Sequence, residues 1–348
     1  MKKLSLFTFG ILSLLMVGCY DDYVKDYDKS GIYIAYQYDL RTFIVGEGMN
    51  FDVGAVLGGV IENKSDRNVS FAVEPDLVTA DLSLFDPEAE DSFTAFEVMS
   101  GASSSGVVSQ SYVTDAVKES GITALTPLPE DCFSLSDAER MTIRAGRHTG
   151  TITVQADSLA FLSDPNVSTA PYYALAFRIR EADADIVLLS KSFAVIAVRY
   201  ENMLFGNWWH GGVTTVRDDV TGNEVEKSVY PTVKTTAQSQ NRVYELTTVA
   251  PDALLTSRLG NGEGTLRLTL DGGEITVNDA AGSLQIEPFG DGCSFNRAKL
   301  LQNRQLYLNY KYSNGDGTTT YVQDTLSFRN RIHDGVNEWQ DENPEHYK

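Results

Sequence analysis

From Gly31 onward, short stretches in which apolar and polar positions alternate are separated by clusters of Gly, Asn and Asp, while long stretches of helical period are scarce. A period of two is the pleat of a strand with one face on a core. The chain therefore reads as all-β. In its first half the stretches are Ile32–Tyr36, Met49–Val60, Val69–Val73, Met141–Ile143, Gly150–Val154, Tyr172–Ile179 and Phe193–Tyr200, a number and spacing that predict a β-sandwich. Thr151-Ile152-Thr153-Val154 alternates cleanly, and Ala145–Gly150 supplies the turn before it. Between Pro75 and Pro129 the pattern weakens, so residues 76–129 read as an insertion carrying a short helix near Tyr112–Ser120. A second short helix is predicted over Asp157–Leu162, ended by Pro165.

Near Arg199–Asn202 the first pattern stops, and Gly206-Asn207-Trp208-Trp209-His210-Gly211-Gly212 opens another. Leu266, Leu268 and Leu270 alternate with polar residues, Asp271-Gly272-Gly273 turns the chain, and Ile275 and Val277 return, which predicts a hairpin. A second hairpin is predicted from Leu306, Leu308, Tyr310 and Tyr312 on one face, the turn Asn314–Gly317, and a return over Tyr321–Phe328. With strands near Val229–Val233 and Val243–Val249, this half reads as six to eight antiparallel strands. The expected fold is an N-terminal Ig-like β-sandwich over 30–199 followed by a C-terminal antiparallel β-barrel or β-sandwich over 206–348.

The first residues change the picture by assigning a compartment. Lys2 and Lys3 precede a short apolar run, Leu4–Val17, and Gly18 precedes Cys19, the layout of a secretory signal over 1–18 rather than a membrane span. Leu15-Met16-Val17-Gly18-Cys19 resembles a bacterial lipobox, which makes Cys19 the expected lipidation site. Residues 19–29 then form an acidic tether, and the low apolar content of Tyr20–Ser30 predicts a flexible leash. Tyr20-Asp21-Asp22-Tyr23 is similar to the signals that export Bacteroidetes lipoproteins to the cell surface. The expected location is the outer membrane, lipid-anchored and facing outward.

With 28 basic and 48 acidic residues the chain carries −20, and removal of Lys2 and Lys3 with the signal makes it −22. Phosphate affinity needs clustered positive charge, so nucleic acid is excluded as a partner and the membrane is reached through the lipid alone. Beyond Cys19 only Cys132 and Cys293 remain, in different halves, and are expected as buried thiols. No Cys/His spacing supports zinc, and Asn314, Asp316 and Thr318 read as a hairpin turn rather than a calcium loop because the terminal bidentate Glu is missing. No metal or cofactor is expected.

Catalysis has no signature either. The histidines His148, His210, His333 and His346 are scattered, HExxH and GxSxG are absent, and Asp183/Asp185 or Glu245/Asp252 are the chance pairs that so many carboxylates guarantee. Sugars instead pack their C–H faces on flat aromatic rings and place hydroxyls against short polar groups. Asn207, Trp208, Trp209 and His210 offer that mixture. Adjacent residues of a strand face opposite sides, so one tryptophan should enter the core and the other should face outward, with His210 or Asn207 at its rim. Trp339 is expected to plug the barrel end, and Arg329, Arg331 and Asp334 to form a buried ion-pair lock.

Leu128–Ser136, Met141–Gly146, Tyr173-Ala174-Leu175 and Ala182–Asp185 together resemble the N-terminal β-sandwich domain of unknown function common in Bacteroidetes lipoproteins, and Leu326–Trp339 resembles the end of the β domain that accompanies it. The resemblance implies a surface glycan-binding or accessory role beside the outer-membrane proteins that import polysaccharides, with a polysaccharide or oligosaccharide as ligand and no catalytic residue. The alternative is a structural or adhesive surface lipoprotein that contacts protein partners and has no carbohydrate site.

Overall fold

The structure, a computed structural model, describes residues 26–79, 93–102, 109–230 and 242–341. The signal segment, Cys19 and the leash up to residue 25 lie outside the described residues. From Asp26 on the chain is anchored rather than loose: Tyr27 N donates to Gly59 O, Asp26 accepts from Ile61 N, and Ser30, 6 % exposed, donates from N and Oγ to Asp185. Asp183 accepts from Asn68 N in the same way. These two carboxylates hold strand ends.

The N-terminal part is built from β1 (Gly31–Tyr33), β2 (Tyr38–Val45), β3 (Asn50–Gly58), β4 (Arg67–Val73), β5 (Thr126–Pro127), β6 (Phe133–Leu135), β7 (Arg140–Ile143), β8 (Thr149–Ala156), β9 (Tyr173–Ala182), β10 (Ile186–Val187) and β11 (Phe193–Asn202). One sheet runs β10-β1-β3-β8-β6, the other β2-β11-β9-β4-β7, with β5 beside β9, a sandwich-like arrangement. The alternation predicted for Thr151–Val154 is observed, Ile152 and Val154 turning inward. Phe71 meets Phe177 edge to face at 5.8 Å.

Within 76–129 the described residues form three short helices, Asp76–Thr79, Ala95–Met99 and Ser111–Glu119, that bury Leu77, Val78, Val98, Met99, Val113 and Val117. Thr94 and Glu97 start the second by a reciprocal capping box, which satisfies two N-terminal amides. Asp157 caps the helix Ser158–Ser163 by accepting from Leu159 N and Ala160 N, and Phe161 buries its ring against Phe43 at 5.1 Å.

The C-terminal part contains β12 (Gly206–Asp218), β13 (Glu224–Tyr230), β14 (Arg242–Ala250), β15 (Ala253–Thr256), β16 (Leu266–Asp271), β17 (Glu274–Asp279), β18 (Glu287–Phe295), β19 (Gln305–Ser313), β20 (Thr318–His333) and β21 (Val336–Glu338). Both predicted hairpins are present, as β16/β17 and β19/β20. Neighbouring strands pair in the order β13-β12-β14-β15-β16-β17-β18-β19-β20-β21, and β12 also pairs with β20 from Asn207↔Asn330 to Asp218↔Thr318. That extra ladder closes eight strands into a barrel and removes their free edges. Closure demands close approach at Gly212, whose φ is +156° and where a Cβ would lie 2.3 Å from Gln323 O. Leucines at 246, 254, 266, 268, 306, 308 and 326 fill the interior with Trp208, Tyr244 and Tyr310.

The described residues divide into two compact units: those up to Asp39 with those of Phe51–Gln155 and Tyr173–Ala197, and those of Leu40–Asn50 with Ala156–Tyr172 and from Val198 on. The barrel unit thus includes the turn that carries Glu47. Glu47 bridges Arg304 (2.6 Å) and Arg331 (2.8 Å), Arg331 Nε pairs with Glu338 (2.6 Å), and His333 Nδ1 lies 2.9 Å from the same carboxylate. Burial works against a charged Glu47, but the two arginines outweigh it and hold the carboxyl below its usual range. The expected lock is observed in Arg331 and in Asp334, whose buried carboxylate lies 3.5 Å from His333 Nε2, while Arg329 takes no part in it. Asp334 accepts from Thr42 N and Oγ1, Arg329 points outward, and Trp339 is 59 % exposed and plugs nothing.

Candidate functional site

Every residue of Gly206–Gly212 is placed by the two ladders that flank β12. Tyr244 and Phe328, the partners of Trp208 on β14 and β20, face the barrel interior, so Trp208, His210 and Gly212 do as well, and Asn207, Trp209 and Gly211 face outward. The predicted split of the tryptophans is observed. Asn207 and Trp209 share a face; His210 sits with Trp208 on the opposite one and borders no outer site.

Trp208 is fully buried, donates from Nε1 to Leu204 O at 3.0 Å and meets Phe328 edge to face at 5.4 Å. His210, also fully buried, lies between Tyr230 and Tyr244 with ring centroids 4.7 and 4.5 Å away. Its Nε2 is 3.0 Å from Asp324 Oδ2, out of line for a hydrogen bond, and among the described residues both ring nitrogens lack hydrogen-bond partners, as does the Tyr310 hydroxyl. Tyr230 donates to the other oxygen of Asp324. Burial first, and then the Asp324 charge, push the Tyr230 and Tyr244 hydroxyls well above their ordinary range. With His210 0 % and Asp324 1 % exposed, this cluster is sealed from solvent and acts on the barrel's own packing.

The outer face is different. Trp209 is half-buried, and the Arg329 guanidinium lies over its ring, 4.6 Å from the ring centre, a cation–π contact that covers one face of the indole. Ser327 sits opposite Trp209 on β20, Gln305 opposite Ser327 on β19, and Thr325 between Gly211 and Tyr307. Tyr307, 37 % exposed, donates to Gln305 Oε1 at 2.8 Å. Trp209 and Tyr307 are thus outward aromatics on strands about 10 Å apart at the usual spacing, separated only by β20 and offset by two residues along it, with Gly211, Ser327 and Thr325 keeping the floor between them low. Burial alone sets that pattern on β19, where inward Leu306 and Leu308 turn Gln305 and Tyr307 outward. Ser327, Gln305 and Tyr307 were not singled out by the sequence, and Arg329 was expected in the ion-pair lock, because only the register joins them to Trp209.

The hairpin reading of Asn314–Thr318 is observed. Asp316 accepts from Thr318 N and Oγ1 and shapes the hairpin turn. Among the described residues no three His, Cys, Asp or Glu side chains are arranged to hold a metal ion. Cys132 and Cys293 are not joined by a disulfide, and burial pushes the Cys293 thiol up to about 11.

Residues 27–186 match a family described as a "-like, N-terminal domain". A Bacteroides ovatus protein of unknown function shares 17 % identity and superposes with a TM-score of 0.56, covering 91 % of this chain and 99 % of its own, so the fold is common to both. An auxiliary nutrient binding protein from Bacteroides thetaiotaomicron is similar at 14 % identity and a TM-score of 0.34, covering 87 % of this chain and 94 % of its own. The sequence finds no match among the curated proteins.

Proposed function

We propose that this chain is a lipid-anchored cell-surface protein that binds glycan, without turning it over, on the outer barrel face around Trp209. The observation that carries the reading is the pairing of Trp209, backed by Arg329, with Tyr307 across a floor of Gly211, Ser327 and Thr325. Two flat apolar faces with hydroxyl and amide groups between them suit the alternating C–H and O–H surfaces of a sugar chain. Asn207, on the same face, supplies a further amide. The enclosure of His210 and Asp324 supports binding rather than catalysis at this strand, since that histidine–carboxylate contact has no route to a substrate. Anchoring through Cys19, a position at the outer membrane, and work beside glycan-import proteins complete the proposal; they rest on the sequence features and the resemblance described above.

Paired alanine variants test it. Losing a stacking ring typically removes about 1–3 kcal/mol, by analogy with bases stacked on aromatics, which weakens a modest binder about tenfold. Trp209→Ala should therefore lose signal on a glycan array with its melting temperature held. Trp208→Ala should melt early, since emptying a buried tryptophan site costs about 3–5 kcal/mol. A blank array for the wild-type protein, with both variants melting early, would transfer the chain to the structural or adhesive reading.

A further inference from the structure

The barrel unit holds a cavity of about 500 Å³ on a part of its surface that shares no residue with the Trp209 face. Its lining includes Phe295, Met203 and Ala298 as apolar surface and Arg297, Lys299 and Arg304 against a single carboxylate, Glu47. In a chain with 20 more acidic than basic residues, such an excess of positive charge around one cavity is unusual.

The three cations differ in what they are already doing. Arg304, fully buried, spends its guanidinium on Glu47, Met203 O, Ala298 O and Lys299 O, and Glu47 is claimed by Arg304 and Arg331. That cluster is closed on itself. Arg297 is not: its guanidinium has no hydrogen-bond acceptor or carboxylate among the described residues. Yet it is held in place. Asn296 accepts from Gln305 N and Ala298 N and donates to Asn303 O, which clamps the loop on both sides while Arg297 adopts a left-handed backbone with φ of +54°. The guanidinium rests on the Gly272-Gly273 turn, where added Cβ atoms would lie 2.7 and 2.3 Å from its nitrogens. Any side chain in that turn would push it away.

We propose that this cavity binds an acidic sugar unit, its carboxylate paired in bidentate fashion with Arg297 and its C–H face against Phe295 and Met203. A planar guanidinium with free donors matches a carboxylate, and the cavity volume lies in the range of small-ligand sites. The choice of a sugar rests on the proposed function above; the choice of an acid rests on Arg297 alone.

Calorimetric titration of the full chain with galacturonic acid and with galactose tests the site. Galacturonic acid should bind and galactose should not. Arg297→Gln should weaken the acid about tenfold or more with the melting temperature unchanged, and Arg297→Lys, which keeps charge but loses the fork, should fall between. Trp209→Ala should leave this binding unaltered, so failure of the outer face and failure of the cavity are separate results. No heat with galacturonic acid, or equal affinity in Arg297→Gln, would overturn the proposal.

Discussion

At the scale of single residues, the barrel depends on polar side chains placed where only partners make them tolerable. Asp324, 1 % exposed, accepts from Tyr230 and faces His210. Replacing it with Ala would take the acceptor from the buried Tyr230 hydroxyl, a loss of about 1–3 kcal/mol; chemical denaturation should show a lower midpoint with the slope unchanged. Asp324→Asn, which keeps an acceptor for Tyr230, should lose less. The same scale shows what a sequence can say of Trp208 and Trp209. Their opposite facing follows from the pleat alone. Which one turns inward does not, because Gly206, Trp208, His210, Gly212 and Thr214 form one face and Asn207, Trp209, Gly211, Val213 and Thr215 the other, and neither set is plainly the apolar one. The decision is made by Tyr244 and Phe328, distant residues whose register sets the side.

At the scale of elements, a β-bulge explains the largest misreading. Arg329 and Arg331 have the same parity and would share a face of a regular strand. Between Asn207 and Trp208 of β12 the register with β20 shifts, from Asn330 to Phe328, and beyond the shift inward and outward exchange. Arg329 therefore stacks on Trp209 and Arg331 enters the cluster with Glu47 and Glu338. Hairpins were legible because their turn residues and alternation are local; β2, β15 and β18 were not marked as separate strands, being short, irregular or continuous with neighbours in pattern. The β20/β21 hairpin also carries a pH dependence. For Glu338 burial opposes the charge, but the hydrogen bond from His333 and the Arg331 charge prevail and hold its pKa at about 2, against 4.5 ordinarily, so its contribution is full above pH 4.5 and fades as pH falls toward 2. For His333 burial is likewise outweighed, by Glu338 and Asp334, and its pKa is raised above 6.5, so its contribution is full below pH 6.5 and fades as pH rises through the folded value. Thermal melts from pH 3 to 9 should show the gap between the wild-type protein and His333→Gln to be widest between about pH 4.5 and 6.5; a gap independent of pH would contradict the pairing.

At the scale of the whole molecule, the all-β character and the succession of a sandwich-like part and a second β domain were readable from periodicity and length, because both are repeated many times along the chain. Barrel closure was not, since it rests on one long-range ladder with no local mark. The anchor belongs to this scale too. If Cys19 carries lipid, Cys19→Ala protein should move from the membrane to the soluble fraction and lose palmitate labelling; a variant that stays with membranes, beside a wild-type protein that takes up no label, would contradict the anchor. The ladder between β12 and β20 has a consequence for the protein's birth. It joins Gly212 to Asp324, so the strand that opens the barrel waits for the one that shuts it until almost all the chain has been made. If the chain is exported as proposed, such an order of events suits passage through a secretion channel in unfolded form, because β12 has no β20 to close on until the last strands have followed it.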